Sequence, residues 1–182
     1  ARLIAKFGEK YLGQPMVVEN KPGAGGQIGF QAIANAKKDG YTFGCLYTPH
    51  LTAHVSAKRA KYTLASFDMI ANVVTDPGIV VVATDSPLKT IDDFLAAVKA
   101  NPGKITVGNS GVGGDDFFTT LIFEKKSGLK VQQVPFEGDG PSWQAAMGRK
   151  IDVSFNNIGI VYPQLKAGNL RALAVMAEKR YE

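Results

Sequence analysis

Cysteine is almost absent: Cys45 stands alone among 182 residues. A single thiol excludes an intrachain disulfide and any cysteine-built metal site, and it suits an oxidising or a reducing compartment equally. Its place inside the apolar run Tyr41–Tyr47 (YTFGCLY) predicts a buried strand thiol rather than a nucleophile. Long apolar runs are also missing. None approaches the ~18 residues of a membrane span, so no direct membrane insertion is expected, and no signal-peptide pattern opens the chain. Histidine occurs twice, at His50 and His54. Their spacing of four would fit a metal on one helical face, but without a neighbouring cysteine or carboxylate pattern surface side chains are expected instead. There is no G-x-x-x-x-G-K-[ST] phosphate loop, no G-x-S-x-G elbow and no histidine beside an evident nucleophile. These gaps predict no enzyme, no cofactor and no metal.

Charge of one sign is not concentrated either. The formal net charge is +5, but lysine and arginine are scattered, with short clusters at Lys37–Lys38, Lys58–Lys61 and Lys125–Lys126. Nucleic-acid binding calls for a basic stripe interleaved with aromatics, and a solvated surface is the better reading here. No nucleic-acid partner is expected; a modest positive field would help gather an acidic solute. The length allows one large α/β domain or two small lobes. Ala1 enters a helical pattern at once and Glu182 follows a charged stretch, so both ends read as cut from something longer.

Glycine is what the chain has in quantity, with 20 residues. Much of it falls in three segments, each joining a strand-like to a helix-like run: Lys21–Gly29 (KPGAGGQIG), Val107–Phe118 (VGNSGVGGDDFF) and Pro135–Pro141 (PFEGDGP). Such loops leave backbone N–H groups uncovered beside a positive helix end, a ready seat for a small anion or carboxylate. Around them, periodicity predicts helices over 1–12, 27–37, 51–57, 90–100, 115–126, 141–148 and 159–167. Strands are predicted over 16–19, 42–47, 67–74, 79–83, 105–108, 131–135, 151–155 and 170–176. Helix 90–100 is the clearest: Thr90 caps it, Asp93 takes the capping-box position and Asn101–Pro102–Gly103 ends it. The alternation predicts an α/β fold with parallel sheets covered on both faces, ligands lying beyond the carboxyl ends of the strands. The chain is expected to cross between lobes at 79–83 and 170–176. That gives a first, incomplete lobe of residues 1–83 plus 169–182, and a second lobe of 84–168.

In its motifs, the sequence resembles the Bug-type solute receptors of tripartite tricarboxylate transporters. VVENKPGAGGQIGFQAIANAKKDGYTF is similar to a VVEN-rPGAGG-xiG segment leading to a DGYT turn. YTLASFDMI resembles the Y-x-x-x-d-F-x-x-I segment, with Ser66 where an acidic residue is usual. GNSGVGGDDFF, VPFEGDGPSWQAAMGRKIDVSFNN and LKAGNLRALAV follow in the family's order. The resemblance implies a periplasmic-binding-protein type II fold, two α/β lobes around a cleft, here truncated at both ends. It implies a periplasmic, monomeric receptor that captures a small organic acid by main-chain amides and bridging waters and serves membrane transporter subunits.

Candidate ligand contacts follow from the loops. Ser110, with the amides of Gly111, Val112, Gly113, Gly114 and Asp115, would form a carboxylate cradle; a plain glycine-rich cap is the alternative. Asp115 and Asp116 are awkward beside an anion; they either cap the helix or meet an ammonium or hydroxyl on the solute, with capping favoured for at least one. Gly25 and Gly26 either lend amides or allow close helix–strand packing. Thr48 is a polar contact on the same edge. Phe136 and Gly138 would cover the solute, or form only a turn. Of Asn156 and Asn157, one is expected to face the cleft and the other to satisfy backbone. Trp143 reads as core. Two rival functions stand beside the receptor. A nucleotide-dependent enzyme lacks a clean G-x-G-x-x-G fingerprint and a ribose-binding acid. An effector-sensing domain of a transcription regulator could share the two-lobed fold.

Overall fold

In the computed structural model, which describes residues 1–180, the unbroken apolar run Gly78–Ala83 (GIVVVA) forms the central strand β1. Such a run, without polar alternation, suits a strand buried on both faces. Val80 and Val82 pack on one side with Phe94, Val98, Val107, Val153 and Phe155. Ile79 and Val81 pack on the other with Val161 and Leu170, joined by Trp143, Ile158 and Leu165. Trp143 is thus a core residue, as its sequence context suggests.

The chain forms two compact units, Ala1–Asp68 and Met69–Glu182. The second runs β1, α4 (Ile91–Ala100), β2 (Thr106–Asn109), α5 (Asp115–Ser127), β3 (Gln132–Pro135), α6 (Asp139–Met147), β4 (Val153–Asn157), α7 (Ile158–Lys166) and β5 (Leu170–Val175). Among its described residues the strands form one sheet in the order β3-β2-β4-β1-β5. β2 pairs parallel with β3 and with β4. β1, however, is antiparallel to both β4 and β5. The sheet is therefore mixed, a correction to the all-parallel expectation. Strand–helix alternation argues for parallel neighbours, but it says nothing of the direction of a strand entering from outside a strand–helix–strand unit. One consequence matters for the site. Gly78 lies opposite Asn157 in the ladder, so the segment leading into β1 arrives at the carboxyl edge of β4.

α4 starts as its sequence dictates: Thr90 Oγ1 accepts the Asp93 N–H at 3.1 Å and Asp93 Oδ2 accepts the Thr90 N–H at 2.9 Å. The N–H donors of Lys89 and Thr90 hold the Asp93 carboxyl below its ordinary pKa. β4 shows the face alternation directly. Val153 and Phe155 join the apolar cluster beneath α4 and α5. Ser154 points the other way, and its hydroxyl bonds that of Ser142 on α6.

The first unit holds α1 (Arg2–Leu12), α2 (Gln27–Ala34) and α3 (His50–Ser56), with single 3-10 turns at Ala24–Gly26 and Leu64–Ser66. Phe30, Leu51, Tyr62 and Phe67 form its core. Among its described residues there is no strand, so the expected strands 16–19 and 42–47 are not formed; nor is 67–74, which runs on into the second unit. An alternating or apolar run supplies the side chains of a strand, but the ladder itself needs a neighbour to exchange N–H···O bonds with. For the same reason Cys45 is exposed rather than buried. The histidines depart in the opposite sense. His50 and His54 are both buried, against the expectation of surface side chains. His54 Nε2 lies 3.0 Å from the Gly25 carbonyl oxygen and its ring faces Phe30. His50 stacks edge-on to Tyr47.

Candidate functional site

Three loops meet at the carboxyl ends of β2, β3 and β4, and their sequences explain how. β2 ends at Asn109, a fully buried side chain that organises the turn after it. Its Oδ1 accepts the Gly111 N–H at 3.0 Å, its Nδ2 donates to Gln133 Oε1 at 3.2 Å, and its carbonyl accepts the Phe136 N–H at 3.0 Å. The β2 loop and the β3 loop are thereby joined. Gly111 takes φ +114°, a conformation few side chains tolerate, and an added Cβ would stand 3.0 Å from the Phe136 carbonyl oxygen. The Gly114 N–H closes the turn on the Gly111 carbonyl at 3.1 Å, and α5 begins with no side-chain cap.

That missing cap decides the roles of the two aspartates. Neither caps its own helix. Asp115 Oδ2 accepts from Asn157 Nδ2 at 2.9 Å, and the same amide donates to the Asp76 carbonyl at 3.0 Å. The Asp76 carboxylate in turn accepts the Gly159 N–H at 2.9 Å, occupying the start of α7. The β4 loop is thus tied both to α5 and to the segment entering β1.

Asp116 is only 1% exposed, and its Oδ2 has no hydrogen-bond partner among the described residues. The same holds for Asp139 Oδ1 and the Ser110 hydroxyl. Burial pushes the Asp116 carboxyl up to about 9, aided by the charges of Asp115 and Asp139, while the Ser110 hydroxyl works weakly against the shift. Asp139 is also raised, chiefly by burial, with Asp115 and Asp76 adding to it and Asp116 opposing. The two carboxyls and the hydroxyl are therefore in contact: the protonated Asp116 donates to the Asp139 carboxylate, and the Ser110 hydroxyl also bears on Asp116. At neutral pH Asp116 carries its proton. Among the described residues no lysine or arginine pairs with Asp76, Asp115, Asp116 or Asp139.

The sequence candidates divide accordingly. Ser110, Gly111, Gly113, Gly114 and Asp115 lie in the β2 loop, with Val112 exposed at its tip. Gly138, at φ +104°, precedes α6 with open space where a Cβ would stand. Phe136 packs against Ala145, Ala146 and Ile151, so its ring serves the core beneath the loop. Asn157 is the asparagine that satisfies backbone; Asn156 is fully buried, donates to Ser154 Oγ at 2.6 Å and leaves its Oδ1 without a partner. In the first unit the Gly26 N–H is already used by the Gly23 carbonyl at 3.1 Å. A Cβ on Gly26 would overlap the Tyr47 hydroxyl, which is the close-packing role. Gly25 offers its carbonyl to His54, and Thr48 is exposed in the turn before α3. Asn109, Asp76 and Asp139 were not among the candidates. Asp139 carried a signal nonetheless: an acid inside a glycine loop that opens a helix, the same pattern as Asp115–Asp116.

Loops gathered at one edge of an open α/β sheet, with a parallel core and buried polar groups, define a small-ligand binding unit. Over residues 1–182 the chain matches the family described as "Tripartite tricarboxylate transporter family receptor", and it belongs to that family. It is 34% identical over 179 residues to a UPF0065 protein of Cupriavidus necator, covering 98% of this chain and 54% of that one. Among solved structures it resembles one described as a periplasmic transporter, with 35% identity, a TM-score of 0.84 and coverage of 100% of this chain and 61% of the other. It also resembles MatC from Rhodopseudomonas palustris with bound malate, at 27% identity and a TM-score of 0.82, covering 99% and 62% respectively. The fold is that of the periplasmic solute-binding proteins. The chain spans about half the length of the curated relatives it matches.

Proposed function

We propose that this chain is the ligand-gripping part of a periplasmic solute receptor that captures a small organic acid and delivers it to the membrane subunits of a tripartite tricarboxylate transporter. It does so by binding alone, as a monomer, without catalysis, cofactor or metal. The observation that carries the reading is the stitching of the β2, β3 and β4 loops into one patch by the Asn109–Phe136 and Asn157–Asp115 hydrogen bonds. Ser110 and the amides of Val112, Gly113 and Asp115 sit on that patch beside the uncapped start of α5. A carboxylate accepting charge-assisted hydrogen bonds there gains roughly 1.5–3 kcal/mol from each. Because Asp116 holds its proton at neutral pH, it does not add a full negative charge against an entering acid. In this reading 84–168 is the second lobe, and 1–83 plus 169–182 belong to the first; residues 181 and 182 lie outside the described residues. The malate bound by MatC supports the ligand class.

A thermal-shift panel of mono-, di- and tricarboxylates, with nucleotides in the same plate, tests this on the full-length protein. A ligand at a hundred times its Kd stabilises by about 2.7 kcal/mol, an easily read rise in Tm. A rise with a nucleotide and none with any carboxylate overturns the reading.

A further inference from the structure

α7 begins with no side-chain cap from its own neighbours. Its first two N–H groups are met instead by the segment entering β1. Ile158 N–H donates to the Pro77 carbonyl at 3.1 Å, and Gly159 N–H to Asp76 Oδ1 at 2.9 Å. The capping carboxylate thus stands 83 residues away in sequence. Glycine at 159 leaves room for it, since an added Cβ would lie 2.6 Å from Asp76 Oδ2. The Asp76 carbonyl accepts from Asn157 Nδ2 at 3.0 Å, and the same nitrogen donates to Asp115 Oδ2 at 2.9 Å. A side-chain amide has two protons to give, and both are committed here. The bonds run in one chain from the start of α7, through Asp76 and Asn157, to Asp115.

The effect of that chain falls on α5. This helix also starts without a side-chain cap, and Asp115 is its first residue. A carboxylate in the first turn is drawn to the positive N–H groups of its own helix start. Those are the groups offered to a solute in the reading above. Engaged by Asn157 across the loop, the Asp115 carboxylate leaves them open.

We propose that Asp76 is a positioning residue for solute binding: it fixes Asn157, which holds the Asp115 carboxylate off the α5 N–H groups that receive the solute's own carboxylate. This rests on the solute-receptor reading and deepens it. The sign of the effect is diagnostic. Removing the negative charge of Asp76 would by simple electrostatics favour an entering acid. Loss of the latch instead frees Asp115 to compete for the same N–H groups, so binding weakens.

Isothermal titration of the full-length protein at pH 7.5 tests this, with malate or with whichever mono-, di- or tricarboxylate of the thermal-shift panel raises the wild-type Tm most. Asp76→Ala is expected to bind about tenfold more weakly, the equivalent of one charge-assisted hydrogen bond to the solute. Asp76→Asn keeps an acceptor for the Gly159 N–H and should stay within about threefold of wild type. Gly159→Ala displaces the Asp76 carboxylate from the other side and should reproduce the loss of about tenfold. Adding Asp115→Asn to Asp76→Ala removes the competing carboxylate and should bring affinity back to within about threefold of wild type. A purely structural role for Asp76 would leave that double variant as weak as the single one. If Asp76→Ala binds like wild type, if Asp76→Asn loses as much as Asp76→Ala, or if Asp115→Asn restores nothing, the inference is overturned while the receptor reading stands. Should Asp76→Ala fail to fold, Gly159→Ala alone and combined with Asp115→Asn decides in the same way. If no carboxylate of the panel binds wild type, the receptor reading itself falls and this inference with it.

Discussion

Replacing Asp116 by asparagine isolates the electrostatic cost of the site. The side chain is buried, and its carboxyl titrates near 9 against an ordinary value of 3.8. A carboxyl whose pKa is raised on folding binds its proton more tightly in the native chain than in the unfolded one. Its stabilising contribution is full below pH 3.8 and is lost progressively as pH rises towards 9. Between pH 3.8 and pH 7 the loss is about 4 kcal/mol, at 1.36 kcal/mol for each pH step. Asparagine keeps the shape and a donor towards Asp139 and removes the titration. Asp116→Asn is therefore expected to be the more stable protein at pH 7, with the gap from wild type closing near pH 4. With each kcal/mol worth roughly 2–8 °C for a domain of this size, Tm at pH 7 should rise by about 8 °C or more. Thermal unfolding followed by circular dichroism from pH 4 to pH 8.5 supplies the profile. Parallel wild-type and variant curves over that range would refute the reasoning, because they would mean that Asp116 is ionised and accommodated at neutral pH. Asp139 is raised in the same direction, so Asp139→Asn should flatten the profile as well.

Two other substitutions test how the loops are held. A Cβ at Gly108 would stand 2.5 Å from Ile151 Cδ1 and 2.6 Å from Ser142 Oγ, so Gly108→Ala should cost roughly 1–3 kcal/mol by overpacking, read by urea denaturation. A midpoint unchanged from wild type would show that α6 yields without cost. Thr90→Ala removes the cap oxygen that accepts the Asp93 N–H and should lower stability by about 1 kcal/mol while leaving solute affinity unaltered, since α4 lies away from the loop patch. A loss of affinity would place α4 in the binding machinery instead.

The parts of this fold legible in the sequence are those fixed by neighbours along the chain. Thr90 and Asp93 announce the start of α4, because a capping box acts within a few residues. The apolar run 79–83 declares a strand by composition, though not its place at the centre of the sheet. What stayed hidden depends on partners distant in sequence. The direction of β1 is set by pairing with β4, some 75 residues on, and no local pattern encodes it. Asp76 meets Asn157, 81 residues away in sequence, only because that antiparallel entry carries it to the carboxyl edge. The same limit applies to the extended stretches of the first unit, whose side-chain pattern was that of strands but whose backbone finds no partner among the described residues. The turn of the β2 loop was legible, since glycine at Gly111 and Gly113 answers to a backbone requirement. The burial of Asp116 was not, because an acid at the first turn of a helix reads as a dipole partner until packing turns it inward.

The distribution of cost across the second unit bears on what its loops are for. Its core is apolar where β1 meets β4, with Val81, Val82, Phe94, Val98, Val107, Val153 and Phe155 buried among one another, and on the α6 face Ser154 bonds both Ser142 and Asn156. Acids held above their ordinary pKa gather instead at the carboxyl edge, where Asp116 and Asp139 press on each other and on Asp115. Neutral residues at those positions would fold more stably by the linkage argument above, so stability does not explain the acids. Costly acids at the first turns of two helices on the carboxyl edge of an open sheet are the pattern expected where function, rather than folding, sets the side chain.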